Sequence, residues 1–362
     1  MFCTRLLTPL LCAVLPTVAV AERKEPAIQH VVIEPATQDA PRSDTASMAR
    51  LPDGRVMVVY HKYEQGKDSG RDHGFCRIWS KVSADQGQTW NNPRMLVDVA
   101  AGDMNVQAPA LLRTKSGNLL MTCLRAHAKG DSSTMCLFES NDGGMTFVPR
   151  PPLWSRSKGQ LLQGGTSNLL QLKSGRLLLP YHGGKGNQWK QTNSAWCLFS
   201  DDQGKNWHRS SQIDLPKRGA MEASVTQLEN GSLLMSLRTQ LGGPFLSRST
   251  DEGKSWSPAK FSGLAGGESG TCLRRLPQAN DVVLFFNNSR FDPSHHHFGE
   301  RTKAALKLLL TVLVLCGECS NGAFQLSLEV INLCSLGGYH KLLRLALFGT
   351  LALLFKFVHP TR

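Results

Sequence analysis

A short polar motif recurs four times along the middle of the chain and constrains its fold more than any other feature. Each copy has the form Ser-x-Asp-x-Gly-x-(Thr/Ser/Asn)-(Trp/Phe), and the copies are SADQGQTW at 83–90, SNDGGMTF at 140–147, SDDQGKNW at 200–207 and STDEGKSW at 249–256. Their first residues lie 57, 60 and 49 positions apart. Self-similarity at a nearly constant spacing indicates a fold built from repeated supersecondary units.

A second recurring phrase, a polar turn followed by an apolar run, precedes every copy of the motif. Its five examples are LPDGRVMVVY from Leu51, TKSGNLLMTCL from Thr114, LKSGRLLLPYH from Leu172, LENGSLLMSLR from Leu228 and LPQANDVVLFF from Leu276, and no motif follows the last. The apolar run of the phrase predicts a strand. After it we expect a second strand that runs back antiparallel to the first, and then the motif, which forms the next hairpin turn. In that turn the Asp can accept backbone N–H bonds, the Gly permits positive φ, and the aromatic residue packs onto the unit.

A unit of about four strands cannot bury both faces of its sheet without neighbours, which is typical of the blades of a β-propeller. The composition agrees, because 33 Gly and 18 Pro are spread along the 362 residues and argue against a helical bundle. The formal net charge of +13 is compatible with an anionic partner but does not by itself show which kind of anion that partner is. No basic stripe or stacking platform is present, so nucleic acid is not predicted as a partner.

The first 21 residues have the features of a cleaved secretory signal. Arg5 precedes an apolar run from Leu6 to Val20, and the segment ends in Ala19-Val20-Ala21 before three charged residues. The alternative is an apolar first strand. A signal predicts a secreted or periplasmic protein, yet the five widely spaced cysteines between residues 22 and 301 imply neither a disulfide framework nor a CxxC metal site.

The last 60 residues, 303–362, lack the repeat and its turn signals and are rich in Leu. The uncharged runs Leu308–Gly317 and Leu345–Phe355 have 10 and 11 residues, against the roughly 20 that span a bilayer, so a membrane anchor is not favoured. We hypothesise that the reading frame changes near Lys303, so that this segment is not the native ending. A membrane-seeking tail is the alternative.

The four motifs resemble the Asp boxes, or BNR repeats, of the sialidase (neuraminidase, exo-α-sialidase) family, and the resemblance extends from about Arg42 to Thr302. It implies an all-β fold, namely a six-bladed propeller at 22–302 whose last blade or blades are incomplete or replaced in this chain. Asp boxes also occur in propellers that are not sialidases, so they receive a structural role and no catalytic one.

The resemblance also implies an exo-α-sialidase-like glycoside hydrolase acting on sialylated glycans without a cofactor or metal. The anomeric carbon of sialic acid bears a carboxylate, which guanidinium groups bind bidentately and which repels a carboxylate nucleophile. Members accordingly use an arginine triad, an Asp acid/base, and a Tyr nucleophile activated by a Glu.

The family pattern places these roles on particular residues of this chain. Arg42, thirteen residues before Arg55 of the first turn phrase, is chosen over Arg50 as the first arginine of the triad. Asp72, followed by His73 before the returning strand, matches the acid/base, with Asp68 left as the alternative.

The segment GAMEASVTQLENGSLLMSLR is the most specific local match to the family. Its Glu222 and Arg238 are sixteen residues apart on the two strands of a hairpin, whose free ends meet at one edge of a blade. The resemblance makes Glu222 the base for the nucleophile and Arg238 the second arginine, and FGERT supplies Arg301 as the third.

No tyrosine takes the nucleophile's place. The chain contains Tyr60, Tyr63 and Tyr181, which lie in the wrong repeats, and Tyr339, whose context does not match. A catalytically inactive glycan-binding or scaffold propeller therefore stands as the alternative function. The run His295–His297 is interpreted as a polar loop, since consecutive residues rarely converge on one metal ion. The sequence does not indicate an oligomeric state.

Overall fold

In a computed structural model of the chain, every regular element of the described residues is a β-strand. The structure describes residues 31–64, 71–127, 132–155, 160–164, 168–185, 192–275, 282–287, 289–295, 297–298 and, in backbone alone, 310–313. The predicted signal and most of the 303–362 segment lie outside these residues. One compact unit begins at Ile33 and holds all the sheets. The described residues form no helix long and apolar enough to cross a membrane.

Twenty-one strands form five sheets within the described part of the chain. The first two sheets contain β1 (Arg42–Arg50), β2 (Val56–Tyr63), β3 (Cys76–Ser83) and β4 (Asn91–Val97), and β5 (Asp103–Arg113), β6 (Leu119–His127), β7 (Ser133–Ser140) and β8 (Val148–Ser155). The third contains β9 (Gln160–Gly164), β10 (Leu170–Gln171), β11 (Leu177–Lys185), β12 (Asn193–Ser200), β13 (His208–Arg209) and β14 (Ile213–Asp214). The last two contain β15 (Met221–Gln227), β16 (Leu233–Arg238), β17 (Phe245–Ser249) and β18 (Lys260–Phe261), and β19 (Cys272–Arg275), β20 (Val282–Phe285) and β21 (Leu310–Leu313).

Each sheet is a blade whose strands pair antiparallel in chain order, which confirms the predicted repeat unit. In blade 3 the inner strand is split into β9 and β10 and the outer strand into β13 and β14. Four blades are complete, and the described part of blade 5 has three strands. Its third strand, β21, lies in the segment that the sequence pattern separated from the repeat. A sixth blade is not among the described residues.

The hydrophobic core is divided among the interfaces between successive blades. Met57 and Ile78 of blade 1 pack with Leu111 and Met121 of blade 2, and equivalent clusters lie between blades 2 and 3, 3 and 4, and 4 and 5. The middle strands bury residues on both faces, as in VMVVYHKY of β2, where only the first and seventh residues are half-buried. The blades therefore stabilise one another.

The Asp boxes connect the third strand of a blade to the fourth, as predicted. In the last box Ser249 Oγ donates to Asp251 Oδ1 (2.7 Å) and accepts from the Gly253 N–H (2.9 Å), while Asp251 Oδ1 accepts from the Ser255 N–H (2.9 Å). Equivalent bonds occur in the other three boxes. Trp256 packs against the core between blades 3 and 4. The conformation of the turn is thus held by side chains of the motif itself.

We expect Ser249→Ala to lower the free energy of unfolding by about 1–3 kcal/mol, because the buried Gly253 N–H loses its acceptor. The matched control is Ser255→Ala, which removes an exposed hydroxyl from the same Asp251 carboxylate. Urea denaturation of the two variants measures the difference. A loss in the control as large as that in Ser249→Ala would contradict the buried-acceptor explanation.

Candidate active site

The strand directions place four predicted site residues at one edge of the propeller. In an antiparallel blade, the start of the first strand, the end of the second and the start of the third share an edge, which we call the site rim. Arg42 begins β1, Asp72 lies between β2 and β3, Glu222 is the second residue of β15 and Arg238 ends β16. The Asp boxes follow the third strands and lie at the opposite edge.

The first strands of the five blades surround a central cavity of about 610 Å³. One residue from each illustrates the arrangement: Ser47, Leu111, Asn168, Val225 and Leu273 line it. These residues lie further along their strands than Arg42 and Glu222, or, in blade 3, between the two halves of the inner strand. The blades are therefore arranged around one channel, and the predicted site residues of β1 and β15 lie nearer the rim than the cavity.

At the blade 4 part of the rim, Arg238 connects two carboxylates. Its Nη1 lies 2.5 Å from Glu222 Oε1, and its Nη2 lies 3.2 Å from Glu268 Oε1. Glu268 is 1% exposed and also binds Arg218 Nη1 at 2.5 Å and accepts from Gln240 Nε2 at 3.0 Å. Two guanidinium groups consequently share one buried carboxylate, next to a more exposed one.

The charges of this group shift the pKa values of Arg238 and Glu268 towards their ionised forms. Burial alone would lower the pKa of Arg238, but the charges of Glu222 and Glu268 outweigh it and raise that pKa. Burial would likewise raise the pKa of Glu268, but the hydrogen bond from Gln240 and the charges of Arg238 and Arg218 lower it. Arg218 and Glu268 were not predicted from the sequence, because neither lies in a recurring phrase.

At the blade 1 part of the rim, Arg42 Nη1 forms a 2.7 Å ion pair with Asp72 Oδ1, whose side chain is 67% exposed. Arg42 also binds Asp44, and its guanidinium lies 4.9 Å from the centre of the Tyr63 ring. The loop that carries Asp72 is attached to blade 2, because Asn105 Nδ2 donates to the carbonyls of Asp72 (3.3 Å) and Gly74 (3.0 Å).

Of the two alternative site residues, Arg50 lies within the described part of the chain and Asp68 does not. Arg50 ends β1 at the opposite edge, away from the site rim, and donates to the Gly54 carbonyl (3.3 Å). Asp68, the alternative to Asp72, and Arg301, the predicted third arginine, lie outside the described residues. The roles of Arg42, Asp72, Glu222 and Arg238 remain predictions.

The described tyrosines do not present an activated hydroxyl. Tyr60 is 4%, Tyr63 1% and Tyr181 0% exposed. Burial raises the pKa of both Tyr60 and Tyr63. Tyr339 lies outside the described residues, and the nucleophile stays unassigned. The described residues contain no cluster of three or more His, Cys, Asp or Glu that could hold a metal ion.

Bulges interrupt the first strands of three blades near the site rim. Thr45, Ala108 and Glu222 have φ of 48°, 53° and 39°, and the pairing register shifts around each of them. In two cases the bulge N–H donates to a buried histidine of the preceding blade. Ala108 N donates to His61 Nδ1 and Glu222 N to His182 Nδ1, both at 3.1 Å.

The His61 contact predicts a pH dependence of stability. Burial lowers the pKa of His61 to about 4; Asp44 and Asp72 oppose this shift and Arg42 adds to it. Because the unfolded state binds this proton near pH 6.5, the stabilisation is complete above that pH and is lost as the pH falls towards 4, by at most about 3 kcal/mol. Urea denaturation of the wild type and His61→Asn, which retains an acceptor and does not titrate, measures the difference. Identical pH dependence in both would contradict the assignment.

The repeats of this chain match a known family. The family model described as a BNR repeat-like domain matches residues 54–314. The chain belongs to this family. The match confirms the predicted repeat and, together with the relatives below, the resemblance to sialidases.

The sialidase of Bacteroides fragilis (strain YCH46) is 26% identical over 279 residues, which cover 67% of this chain and 49% of that protein. Human Sialidase-4 is 27% identical over 145 residues, covering 36% and 30%. This BNR-repeat protein thus spans about half the length, or less, of the curated relatives it matches. The solved structure of the Hadza microbial sialidase Hz136 shares its fold, with a TM-score of 0.58, 19% identity and coverage of 70% and 55%.

Proposed function

We propose that this BNR-repeat protein is an exo-α-sialidase-like glycoside hydrolase that removes terminal sialic acid from glycoconjugates. The observation that carries the proposal is the group at the blade 4 rim, where Arg238 joins Glu222 to the buried Glu268 and Arg218. A second arginine with an exposed carboxylate, Arg42 with Asp72, lies on the same rim. Fixed guanidinium groups beside carboxylates are what an anionic sugar and its acid/base chemistry require.

In this proposal the arginines bind the substrate carboxylate and the carboxylates move protons. Arg42 holds Asp72 in the free protein. A substrate carboxylate that binds Arg42 would release Asp72, which can then take up a proton and deliver it to the leaving glycosidic oxygen. Glu222 would accept the proton of the nucleophile. The nucleophilic residue itself is not assigned. Arg238 pairs with Glu222 and contributes its positive charge to the substrate site.

We also propose, on the sequence pattern alone, that the protein is exported and that its fold is a six-bladed propeller whose last blade or blades are incomplete or replaced in this chain. The buried tyrosines favour a second candidate, a glycan-binding propeller without turnover. Both candidates use the same arginines and differ in whether a nucleophile completes the site.

The test is an assay of the purified full chain with a fluorogenic α-sialoside, beside a titration with sialyllactose. Saturable release of the fluorophore supports the hydrolase. Binding of sialyllactose without release supports the glycan-binding propeller. Absence of both turnover and binding contradicts the proposal.

A further inference from the structure

We propose that His182 is a positioning residue that holds the Glu222 carboxylate against Arg238 through the backbone N–H of Glu222. The inference rests on the proposed function, because it assigns His182 a part in the work of Glu222. His182 lies in β11 of blade 3 and Glu222 in β15 of blade 4, so the contact crosses a blade interface.

The backbone at Glu222 is strained. Its φ of 39° lies in the left-handed region, which is unfavourable for a residue with a side chain. The conformation persists because the surroundings hold it: the Glu222 N–H donates to His182 Nδ1 at 3.1 Å, and His182 is 1% exposed. Strained residues that are held in this way concentrate at functional sites.

The strain has a geometric result. Met221 is 2% and Ala223 0% exposed, while Glu222 between them is half-buried and reaches the guanidinium of Arg238. Met221 pairs with Arg238, and the register shift follows between Met221 and Ser224. A bulge that inserts an extra residue re-aims a side chain in this manner. The bulge therefore places the carboxylate on the arginine of the adjacent strand.

The equivalent bulge of blade 2 shows which part of the arrangement is general. His61 Nδ1 accepts the N–H of Ala108 at the same distance, 3.1 Å, and Ala108 also has a positive φ. There the bulge carries a methyl group, whereas in blade 4 it carries a carboxylate. The histidine builds the bulge in both blades, and the residue at the bulge determines what is positioned.

The contact also sets the protonation state that His182 must have. Since Nδ1 accepts from the Glu222 N–H, the ring proton of the neutral imidazole is on Nε2. If His182 were protonated, Nδ1 would carry a hydrogen that faces the Glu222 N–H. Nδ1 could then no longer accept from it, and the hydrogen bond would be lost. An asparagine can replace Nδ1 with its side-chain oxygen, which provides a conservative variant.

The experiment compares His182→Leu, His182→Asn and Gly253→Ala in the full chain. Gly253 packs at the same blade interface but at the opposite edge; its φ is 83° and an added Cβ would lie 2.8 Å from Leu178 Cδ1, so this variant controls for lost stability. We expect His182→Leu to lower kcat for the fluorogenic sialoside about 100-fold with little change in KM, because misplacing a catalytic group by about 1 Å has that effect. His182→Asn should recover most of kcat, and Gly253→Ala should retain it at temperatures where it is folded.

Unchanged kcat in His182→Leu, or an equal loss in Gly253→Ala, would overturn the inference. A second measurement does not depend on turnover. Hydrogen exchange of the Glu222 amide should accelerate in His182→Leu and be slow again in His182→Asn. If the wild type hydrolyses no sialoside, the proposed function fails while this measurement still tests the contact; if the exchange rate is unchanged in His182→Leu, the contact does not hold the bulge.

Discussion

Replacing Arg238 with Ala is expected to reduce sialoside hydrolysis by about 100- to 1,000-fold, the effect of removing a fixed group that stabilises transition-state charge. The same change leaves the 1% exposed Glu268 with one guanidinium partner in place of two and frees Glu222. Breaking a buried ion pair costs about 3–5 kcal/mol, so the variant should also unfold at lower urea concentration. Activity must therefore be compared under conditions in which the variant is folded.

Two further variants separate charge from geometry at this position. Arg238→Lys retains the charge but not the fork that contacts Glu222 through Nη1 and Glu268 through Nη2, so we expect an intermediate loss of kcat/KM. Arg248→Ala removes an exposed arginine from β17 of the same blade and should have little effect. Wild-type turnover in folded Arg238→Ala would show that the site is placed wrongly.

Gly219→Ala is expected to be strongly destabilising, with a loss of at least about 3 kcal/mol. Gly219 has φ of 83°, and an added Cβ would lie 1.8 Å from the carbonyl oxygen of Asn193. That backbone is fixed on both sides, since Asn193 N donates to the Arg218 carbonyl (2.8 Å) and Ala220 N to the Asn193 carbonyl (3.1 Å). The chain before β15 would have to move, and Arg218 with it.

The control for this prediction is Gly231→Ala, in the turn between β15 and β16. Gly231 has a similar φ of 86°, but no atom lies within 4 Å of the added Cβ. Only the backbone strain remains, about 1–2 kcal/mol. Equilibrium urea denaturation gives both values, and equal losses in the two variants would show that the close approach to Asn193 is unimportant.

The blades could be predicted from the sequence because their signals are local. Ser249, Asp251 and Gly253 lie within one turn and bind one another, and equivalent bonds recur in the other three boxes. The turn phrases and apolar runs likewise specify strands within about 20 residues. The pairing of Glu222 with Arg238 could also be predicted from local sequence, because a single hairpin brings the two residues together.

The rest of the candidate site comes from contacts between distant parts of the chain. Arg218 meets Glu268 across 50 residues, and His182 meets the Glu222 amide across 40. Arg218 and Glu268 lie outside the recurring phrases, and although His182 ends the turn phrase that starts at Leu172, nothing in that phrase shows which backbone N–H its ring accepts.

By itself, then, the sequence determined the repeating blade, its turns and the hairpin that joins Glu222 to Arg238, since hydrogen bonds within a turn and alternation along a strand depend on near neighbours. Only the tertiary structure decided that Arg218, Glu268 and His182 join that hairpin and that Arg42 pairs with Asp72 on the site rim. Those contacts form when successive blades bury their faces against one another, and the angle and register of that packing depend on the whole interface.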